Sequence, residues 1–266
     1  TEVRSTVITQ TPYRISLLGG GTDFPIWFKD NLGACLSFTI DKYSWLTCRW
    51  LPPFFSHRAR YVWSKIELVN SATEVEHPSI RGCLKLLGLE DARLEVHHVG
   101  DIPGQSGMGS SAAFTVGLLQ GLYGLLGRLP DKRSLALRAM AVDQDLTGEI
   151  VGCQDHIAAS CGGANLITFG GSREDFDVQP LPLSNAITQE LVAHSMLLYT
   201  GRSRFASDIE AAKIRRFSLK QAELTELGVM AGVGAELLLM GRLEVLAGLL
   251  DRAWRLTRGL ADGVSD

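Results

Sequence analysis

The feature that most restricts how this chain can fold is a glycine-rich stretch, Asp101–Phe114, between a strand-like and a helix-like segment. Residues 92–99 alternate apolar and polar side chains, and residues 111–126 are mostly apolar and free of proline. A glycine-rich loop that leads into a helix presents unpaired N–H groups and the positive end of the helix dipole, and both attract phosphate. Glycine lets the backbone approach the anion, and a serine hydroxyl at the helix start can hold a magnesium ion. The stretch therefore predicts a nucleotide-phosphate loop.

A plain strand-to-helix turn with Ser110 as the helix N-cap is the simpler alternative. Such a turn does not require three glycines between Gly104 and Gly109, so the phosphate loop is the favoured interpretation. The spacing from Gly104 to Ser111 equals that of a Walker A loop, but Ser110 stands where that motif has its phosphate-binding lysine.

The same loop also satisfies a dinucleotide-binding pattern over Gly107–Ala112. That pattern needs an acidic residue about 20 positions further on, at the end of the next strand. Asp131 lies near that position but follows a helix-like segment, which disfavours a dinucleotide-dependent oxidoreductase. The loop is thus predicted to bind nucleotide phosphates without being a Walker or a Rossmann loop.

The composition argues against several classes of protein. With 266 residues, 45% of them hydrophobic, the chain can bury one large core or two smaller ones. A formal charge of −3 gives no sign of nucleic-acid binding, and no apolar run is long enough to span a membrane. Five cysteines without a CxxC pair favour a reducing compartment over a disulfide framework or a zinc site. We therefore expect a trimmed form of a cytoplasmic protein, since the chain starts with Thr-Glu and shows no signal peptide.

A second glycine-rich segment follows a β-rich run that carries Arg14. Consecutive glycines let the backbone give way to a ligand, and a following Thr-Asp pair can bind hydroxyl groups. The candidate contacts are Gly20, Gly21, Thr22 and Asp23. The alternative is a surface turn in which Asp23 caps a short helix, but three consecutive glycines are more than such a turn needs.

Several carboxylates lie close together in the sequence further on. They are Asp143, Asp145, Glu149 and Asp155. Each alone is by default a solvated charge or a helix cap. Beside a phosphate loop they supply what phosphoryl transfer requires, which is a Mg²⁺ ligand and an acceptor for a hydroxyl proton. Cys153 has no basic neighbour in sequence and is interpreted as structural.

The rest of the sequence predicts one closely packed helix and one further contact with an anion. Gly117, Gly121 and Gly124 lie on one face of the helix after the phosphate loop, which predicts a closely packed neighbour. Residues 191–199 are interpreted as a buried strand, and the pattern from residue 205 onward is helical. Between them, Arg202 and Arg204 are candidates to clamp an anion, with a solvated turn as the equal alternative.

Four segments in this order resemble the motifs of the GHMP sugar and isoprenoid kinases. They are Thr11–Pro25, Pro103–Ala112, Gly152–Gly163 and Tyr199–Arg204. The second is similar to the family's phosphate-binding motif, Pro-x-x-x-Gly-Leu-Gly-Ser-Ser-Ala. The Gly-Gly-Gly-Thr-Asp form of the first resembles the branch of sugar kinases that act on heptose 7-phosphates. The resemblance runs through most of the chain.

The resemblance implies a mixed α+β (α/β) protein of two domains with ATP and sugar in the cleft between them. Residues 1–172 would form an N-terminal domain of the ribosomal-protein-S5 type, and residues 173–266 a partial C-terminal domain of the ferredoxin-like type. It further implies that Asp155 is the catalytic base, with Arg14 as the cation that supports the base and the transferred phosphoryl group.

The remaining roles are implied in the same way. Mg²⁺ would bind Ser111 and either Asp143 or Asp145, and the spacing to Asp155 leaves both open. The ATP contacts would be Pro103, Gly104, Gln105, Ser106, Gly107, Met108, Gly109, Ser110, Ser111 and Ala112. The substrate contacts would be Gly20, Gly21, Thr22, Asp23, Gln154, Arg202 and Arg204.

The implied reaction is ATP-dependent phosphorylation of D-glycero-D-manno-heptose 7-phosphate to the 1,7-bisphosphate. The alternatives are another sugar kinase of the fucose or galactose type and a truncated protein that only binds sugar or nucleotide. The expected partners are small molecules, without nucleic acid or membrane, and the oligomeric state stays open. The family's third glycine-rich motif is not found, so we expect a fragment that lacks the last part of the C-terminal domain.

Overall fold

The structure, a computed structural model, describes residues 4–104, 106–198 and 206–260. Its strands are β1 (Thr6–Leu18), β2 (Gly33–Trp50), β3 (Ala59–Val62), β4 (Ile66–Val69), β5 (Leu94–Gly100), β6 (Ala164–Phe169) and β7 (Phe176–Pro180). Its α-helices are α1 (Pro25–Phe28), α2 (Pro78–Leu87), α3 (Ser110–Leu125), α4 (Lys132–Met140), α5 (Gln154–Cys161), α6 (Asn185–Ala193), α7 (Ala206–Ile214), α8 (Gln221–Leu239) and α9 (Leu243–Arg258). A π-helical turn, Ala141–Leu146, continues α4, and two short 3₁₀ helices span Ala72–Glu74 and Phe217–Leu219.

The chain divides into two compact units, each of which draws on separate stretches of sequence. Unit 1 contains Thr1–Tyr13, Ile40–Glu149 and Asp155–Cys161, and unit 2 contains Arg14–Thr39, Ile150–Gln154 and Gly162–Asp266. Both β1 and β2 therefore contribute residues to each unit. The predicted domain boundary at residue 172 stays a prediction, although residues 170–175 form the loop of the antiparallel hairpin β6–β7.

In unit 1 the strands are ordered β4-β3-β5-β2, and the glycines of α3 approach β1 and β2 closely. A Cβ atom added at Gly117 would lie 2.6 Å from the Thr11 hydroxyl oxygen. One added at Gly121 would lie 2.7 Å from the Cys48 sulfur. The prediction that the glycine face of this helix packs closely against a neighbour is confirmed, because no larger residue fits between helix and strand.

In unit 2, β6 pairs with β2 on one side and with β7 on the other. The aromatic rings of Phe28 and Phe169 stack with their centroids 5.4 Å apart. Phe24 and Trp27 place their rings edge-on to Phe217, at 6.0 and 6.4 Å. These buried rings form part of the apolar core of unit 2.

Several predicted elements are confirmed by the structure. The helix predicted over residues 111–126 is α3, and the strand predicted over residues 92–99 is β5. The runs on either side of Pro12 join into the single strand β1, which pairs only with β2 among the described strands. A strand with one free side tolerates a residue that has no N–H group to donate.

The prediction of a buried strand over residues 191–199 is wrong. Residues 191–193 form the last turn of α6, and residues 195–198 have no regular structure. The side chains of Met196, Leu197 and Leu198 are 81%, 62% and 75% exposed. A strand needs a neighbouring strand to satisfy its N–H and C=O groups, and no described strand pairs with this segment.

The fold is mixed α+β, as expected. None of the five cysteines, all of which lie in the described ranges, forms a disulfide; four are buried and Cys161 is half-buried. Within the described part of the chain, no helix combines the length and the apolar character needed to cross a membrane.

Candidate active site

The predicted phosphate loop leads directly from a strand end into a helix start. β5 ends at Gly100 and α3 begins at Ser110. Gly107 and Gly109 have φ angles of 74° and 70°, in the left-handed region that favours glycine. Gly109 is the N-cap of α3, and no side chain caps the helix. The alternative with Ser110 as the N-cap is therefore wrong, and the first N–H groups of α3 have no capping side chain to bind.

The surroundings of this loop fit a phosphate group. A Cβ atom added at Gly104 or Gly107 would meet no described atom within 4 Å. The Ser106 hydroxyl oxygen is buried and has no hydrogen-bond partner among the described residues, so a bound anion would supply an acceptor for it. Ser110 is half-buried and Ser111 is exposed at the helix start, whereas Gln105 lies outside the described residues.

A buried carboxylate lies beside the same helix. Asp143 belongs to the π-helical turn after α4 and is 1% exposed. Its Oδ1 accepts a hydrogen bond from the Thr115 hydroxyl at 2.9 Å, and its Oδ2 lies 2.9 Å from Nε2 of His156. Thr115 and His156 are also buried. Asp143 thus connects α3 with α5 within unit 1.

The other three carboxylates have different environments. Asp155 is half-buried in the first turn of α5, and Asp145 is exposed. Glu149 is half-buried, and its N–H donates to the carbonyl oxygen of Asp143 at 2.8 Å. Burial raises the pKa of Glu149, and the negative charge of Asp143 raises it further. Of the two candidate metal ligands, Asp143 is therefore enclosed by protein and Asp145 faces solvent.

The residues around the phosphate loop fit a magnesium ion in their chemistry. Ser111 and Thr115 are four residues apart and so lie on the same face of α3, which is the face that Asp143 contacts. Hydroxyl and carboxylate oxygens are ligands that Mg²⁺ accepts, usually from one or two carboxylates together with substrate phosphates. In the described ranges, no group of three His, Cys, Asp or Glu side chains could hold a metal by itself.

The second glycine-rich segment is held together by its own polar side chains in unit 2. Thr22 is 0% exposed. Its hydroxyl donates to the carbonyl oxygen of Gly19 at 2.8 Å and accepts from the N–H of Ala34 at 3.0 Å. In this structure the Thr22 hydroxyl closes the loop, and the predicted contact with substrate stays a prediction.

Asp23 is buried and binds the segment that precedes Asp155. Its Oδ1 accepts from the N–H of Gly21 at 3.1 Å, and its Oδ2 accepts from the N–H of Gln154 at 3.2 Å. A Cβ atom added at Gly152 would overlap Oδ2 of Asp23. The N-cap of α1 is Phe24, so the alternative in which Asp23 caps that helix from a surface turn is wrong.

Two further predicted substrate contacts lie side by side in unit 2. The Oε1 of Gln154 accepts a hydrogen bond from the Ser16 hydroxyl at 2.8 Å. A Cβ atom added at Gly20 would lie 3.8 Å from Nε2 of Gln154. Arg14 is half-buried in β1. Arg202 and Arg204 lie outside the described residues.

Sequence reasoning missed three residues that the structure places beside the predicted ones. Thr115, His156 and Ser16 contact Asp143 and Gln154. Ser16 and His156 lie inside two of the four motifs, but neither was assigned a role there. Thr115 lies outside the motifs, and its only signal is that it follows Ser111 by one helical turn.

Comparisons with known proteins agree with this geometry. Residues 78–163, which include the phosphate loop and α5, match the family model of the GHMP kinases N terminal domain. Over 281 residues the chain is 26% identical to the D-glycero-alpha-D-manno-heptose 7-phosphate kinase of Campylobacter jejuni, covering 98% of this chain and 80% of that protein.

The chain thus contains a GHMP kinase N-terminal domain. The fold agrees, because a D-glycero-D-manno-heptose 1-phosphate kinase from Bacteroides thetaiotaomicron superposes with a TM-score of 0.77 at 23% identity, over 94% of this chain and 79% of that one. A bifunctional fucokinase/GDP-fucose pyrophosphorylase of Arabidopsis thaliana is 22% identical over 273 residues, covering 94% of this chain and 26% of that protein. The matched relatives are sugar kinases, so the protein is assigned to the phosphotransferases, and sugar kinases of the GHMP family use ATP.

Proposed function

We propose that this GHMP kinase transfers the γ-phosphoryl group of ATP to the anomeric hydroxyl of a heptose 7-phosphate, D-glycero-D-manno-heptose 7-phosphate, and forms the 1,7-bisphosphate. The assignment of this substrate rests on the similarity to the heptose 7-phosphate kinase of Campylobacter jejuni, which extends over nearly the whole chain. The Gly-Gly-Gly-Thr-Asp segment, whose Asp23 binds the backbone just before Asp155, supports the same assignment.

In this proposal Asp155 accepts the proton of the attacking sugar hydroxyl. It stands in the first turn of α5, half-buried, directly after the segment that Asp23 binds. A general base must be held within hydrogen-bond reach of the proton that it removes, and the anchored backbone provides such a fixed position. Arg14 is the cation assigned to the developing charge of the transferred group.

The phosphates of ATP bind to the loop of residues 103–112. In a Walker loop, a lysine stabilises the negative charge of the phosphates. Here that charge would be stabilised by the uncapped N–H groups at the start of α3 and by the loop backbone at the left-handed glycines Gly107 and Gly109. Ser111 and Asp143 would hold Mg²⁺, in preference to Asp145, because Asp143 contacts the helix face that bears Ser111. When bound, Mg²⁺ neutralises charge on the phosphates of ATP.

The substrate's own phosphate is assigned to Arg202 and Arg204. Guanidinium groups bind phosphate through paired, charge-assisted hydrogen bonds. If the assignment is right, changing both to alanine raises KM for the phosphorylated sugar and leaves KM for ATP unchanged. Equal KM values for the sugar in variant and wild type would remove these two residues from the proposal.

The test is a sugar panel with ATP and Mg²⁺, in which wild type and Asp155→Asn are compared. The panel contains D-glycero-D-manno-heptose 7-phosphate, the 1-phosphate, fucose and galactose. We expect turnover on the 7-phosphate, with kcat reduced at least about 100-fold in Asp155→Asn, which is the usual contribution of a general base. ATP binding, measured by calorimetry, should be equal in both proteins. Turnover only on another sugar would replace the substrate, and ATP binding without any turnover would refute the proposed activity.

A further inference from the structure

We propose that Thr115 and His156 are positioning residues that hold the Asp143 carboxylate from two sides and so fix the start of the phosphate-loop helix relative to the helix that carries Asp155. We name these three side chains the carboxylate clamp. The inference rests on the proposed function, in which Ser111 and Asp143 bind the metal and Asp155 is the base.

The geometry of the clamp joins three elements of unit 1 that are distant in sequence. The Thr115 hydroxyl donates to Oδ1 of Asp143 across 28 residues, and Nε2 of His156 meets Oδ2 across 13 residues. All three side chains are at most 1% exposed, so water does not compete for these hydrogen bonds. Each element also carries a residue of the proposed reaction, namely Ser111 on α3, Asp143 in the π-helical turn and Asp155 on α5.

The π-helical turn explains why Asp143 is the inward carboxylate. A π-turn widens the helix locally and re-aims its side chains, and such turns are frequent at functional sites. Residues two apart on a helix project from different faces, so Asp145 points away and is exposed. The short aspartate side chain ends between Thr115 and His156.

The surroundings of His156 define the form of its ring in the clamp. Its Nδ1 is buried and has no hydrogen-bond partner in the described part of the chain. A lone pair on Nε2 would face the carboxylate and leave a buried Nδ1–H without an acceptor. The favoured tautomer therefore carries hydrogen on Nε2 and donates it to Asp143. A glutamine amide can make the same donation, whereas leucine cannot.

Outer residues that orient a metal ligand affect metal affinity by about 10- to 100-fold when they are removed. We therefore compare two disruptive variants, Thr115→Val and His156→Leu, with two conservative ones, Thr115→Ser and His156→Gln. The first readout is the affinity for Mn²⁺, as a Mg²⁺ substitute, in the presence of a non-hydrolysable ATP analogue, measured by electron paramagnetic resonance. The second is kcat per nucleotide-binding site, which corrects for any unfolded protein.

We expect the disruptive variants to lose about tenfold or more in Mn²⁺ affinity and in kcat. The conservative variants should stay within about threefold of wild type, because each keeps a donor to Asp143. If Thr115→Val, which preserves shape, lowers only the melting temperature while Mn²⁺ affinity and kcat per site stay unchanged, the clamp is merely structural and the inference is overturned. It is also overturned if His156→Gln is as impaired as His156→Leu.

Failure of the proposed function would look different. Wild type without turnover on any sugar refutes the function, whatever the variants do. Wild type with turnover and with clamp variants of normal Mn²⁺ affinity refutes only the clamp. If His156→Leu does not fold, the pair Thr115→Val and Thr115→Ser decides by itself.

Discussion

The carboxylate of Asp23 accepts a hydrogen bond from the backbone N–H of Gln154 at 3.2 Å, although 131 residues separate them. The same side chain accepts from the N–H of Gly21, and its backbone carbonyl accepts from the N–H of Cys153 at 2.9 Å. One buried aspartate therefore joins the first glycine-rich segment to the backbone immediately before Asp155.

Replacing Asp23 by asparagine should weaken this connection. The amide puts a donor where a backbone N–H now donates, so one hydrogen bond to a buried group is lost, at about 1–3 kcal/mol of unfolding free energy. Urea unfolding measures the loss, and kcat should fall with it because Asp155 is less well placed. The control Asp30→Asn, at an exposed position, should change stability by less than about 0.5 kcal/mol. Equal stability of the two variants would contradict the role of Asp23.

Gly152→Ala tests the same contact from the other side. A Cβ atom at residue 152 would overlap the Asp23 carboxylate, so the segment or the carboxylate must move. We expect a loss of about 1–3 kcal/mol, as for other overpacked sites, together with lower activity. The matched control is Gly232→Ala in α8, where a Cβ atom meets nothing within 4 Å. That control should raise stability by up to about 1 kcal/mol through helix propensity.

Gly121→Ala tests the close packing of α3 in unit 1. Its Cβ atom would lie 2.7 Å from the Cys48 sulfur, so we expect destabilisation of about 1–3 kcal/mol. Cys48→Ala removes the colliding sulfur. The double variant should therefore be more stable than the sum of the two single changes implies, which a double-mutant cycle in urea measures. If the changes in unfolding free energy of the two single variants simply add in the double variant, the contact between residue 121 and the Cys48 sulfur does not cause the destabilisation.

The stability of unit 1 should depend on pH through His77. Its ring stacks on Phe114 with centroids 4.5 Å apart, in the first turns of α3. Burial lowers the pKa of His77 from 6.5 to about 4, the neighbouring His98 lowers it slightly further, and the negative charges of Glu67 and Asp143 oppose the shift to a smaller extent. Because the unfolded chain takes up the proton first, stability should fall as the pH drops from about 6.5 to about 4.

The size of this pH effect follows from the difference between the pKa of His77 in the folded and the unfolded chain. A full shift of this size corresponds to about 3 kcal/mol, and partial solvent contact reduces it to about 1–3 kcal/mol. His77→Phe keeps the stacked ring and removes the proton site, so its unfolding free energy should change less between pH 7 and pH 4. Urea titrations at four pH values give the unfolding free energy of each protein as a function of pH. If this free energy falls equally with pH in wild type and in His77→Phe, the assignment to His77 is contradicted.

Part of this fold follows from local sequence. The strand–loop–helix of β5 and α3 is predicted correctly, because alternation, left-handed glycines and an apolar helix are properties of adjacent residues. The glycine face of α3 was equally predictable, since periodicity alone puts Gly117, Gly121 and Gly124 together. The order of motifs also predicted the match to the GHMP kinase N-terminal domain, because each motif is a short run of adjacent residues.

Other features depend on partners far away in the chain. The strand expected at residues 191–199 has an apolar composition but no neighbour to pair with in the described structure. The sequence could not distinguish Asp143 from Asp145, because their difference arises only when Thr115 and His156 enclose one of them. The buried role of Asp23 likewise depends on Gln154. Local conformational preference determines where a loop or a helix forms, whereas the burial and hydrogen bonding of a carboxylate are decided by residues that only folding brings within about 3 Å of it.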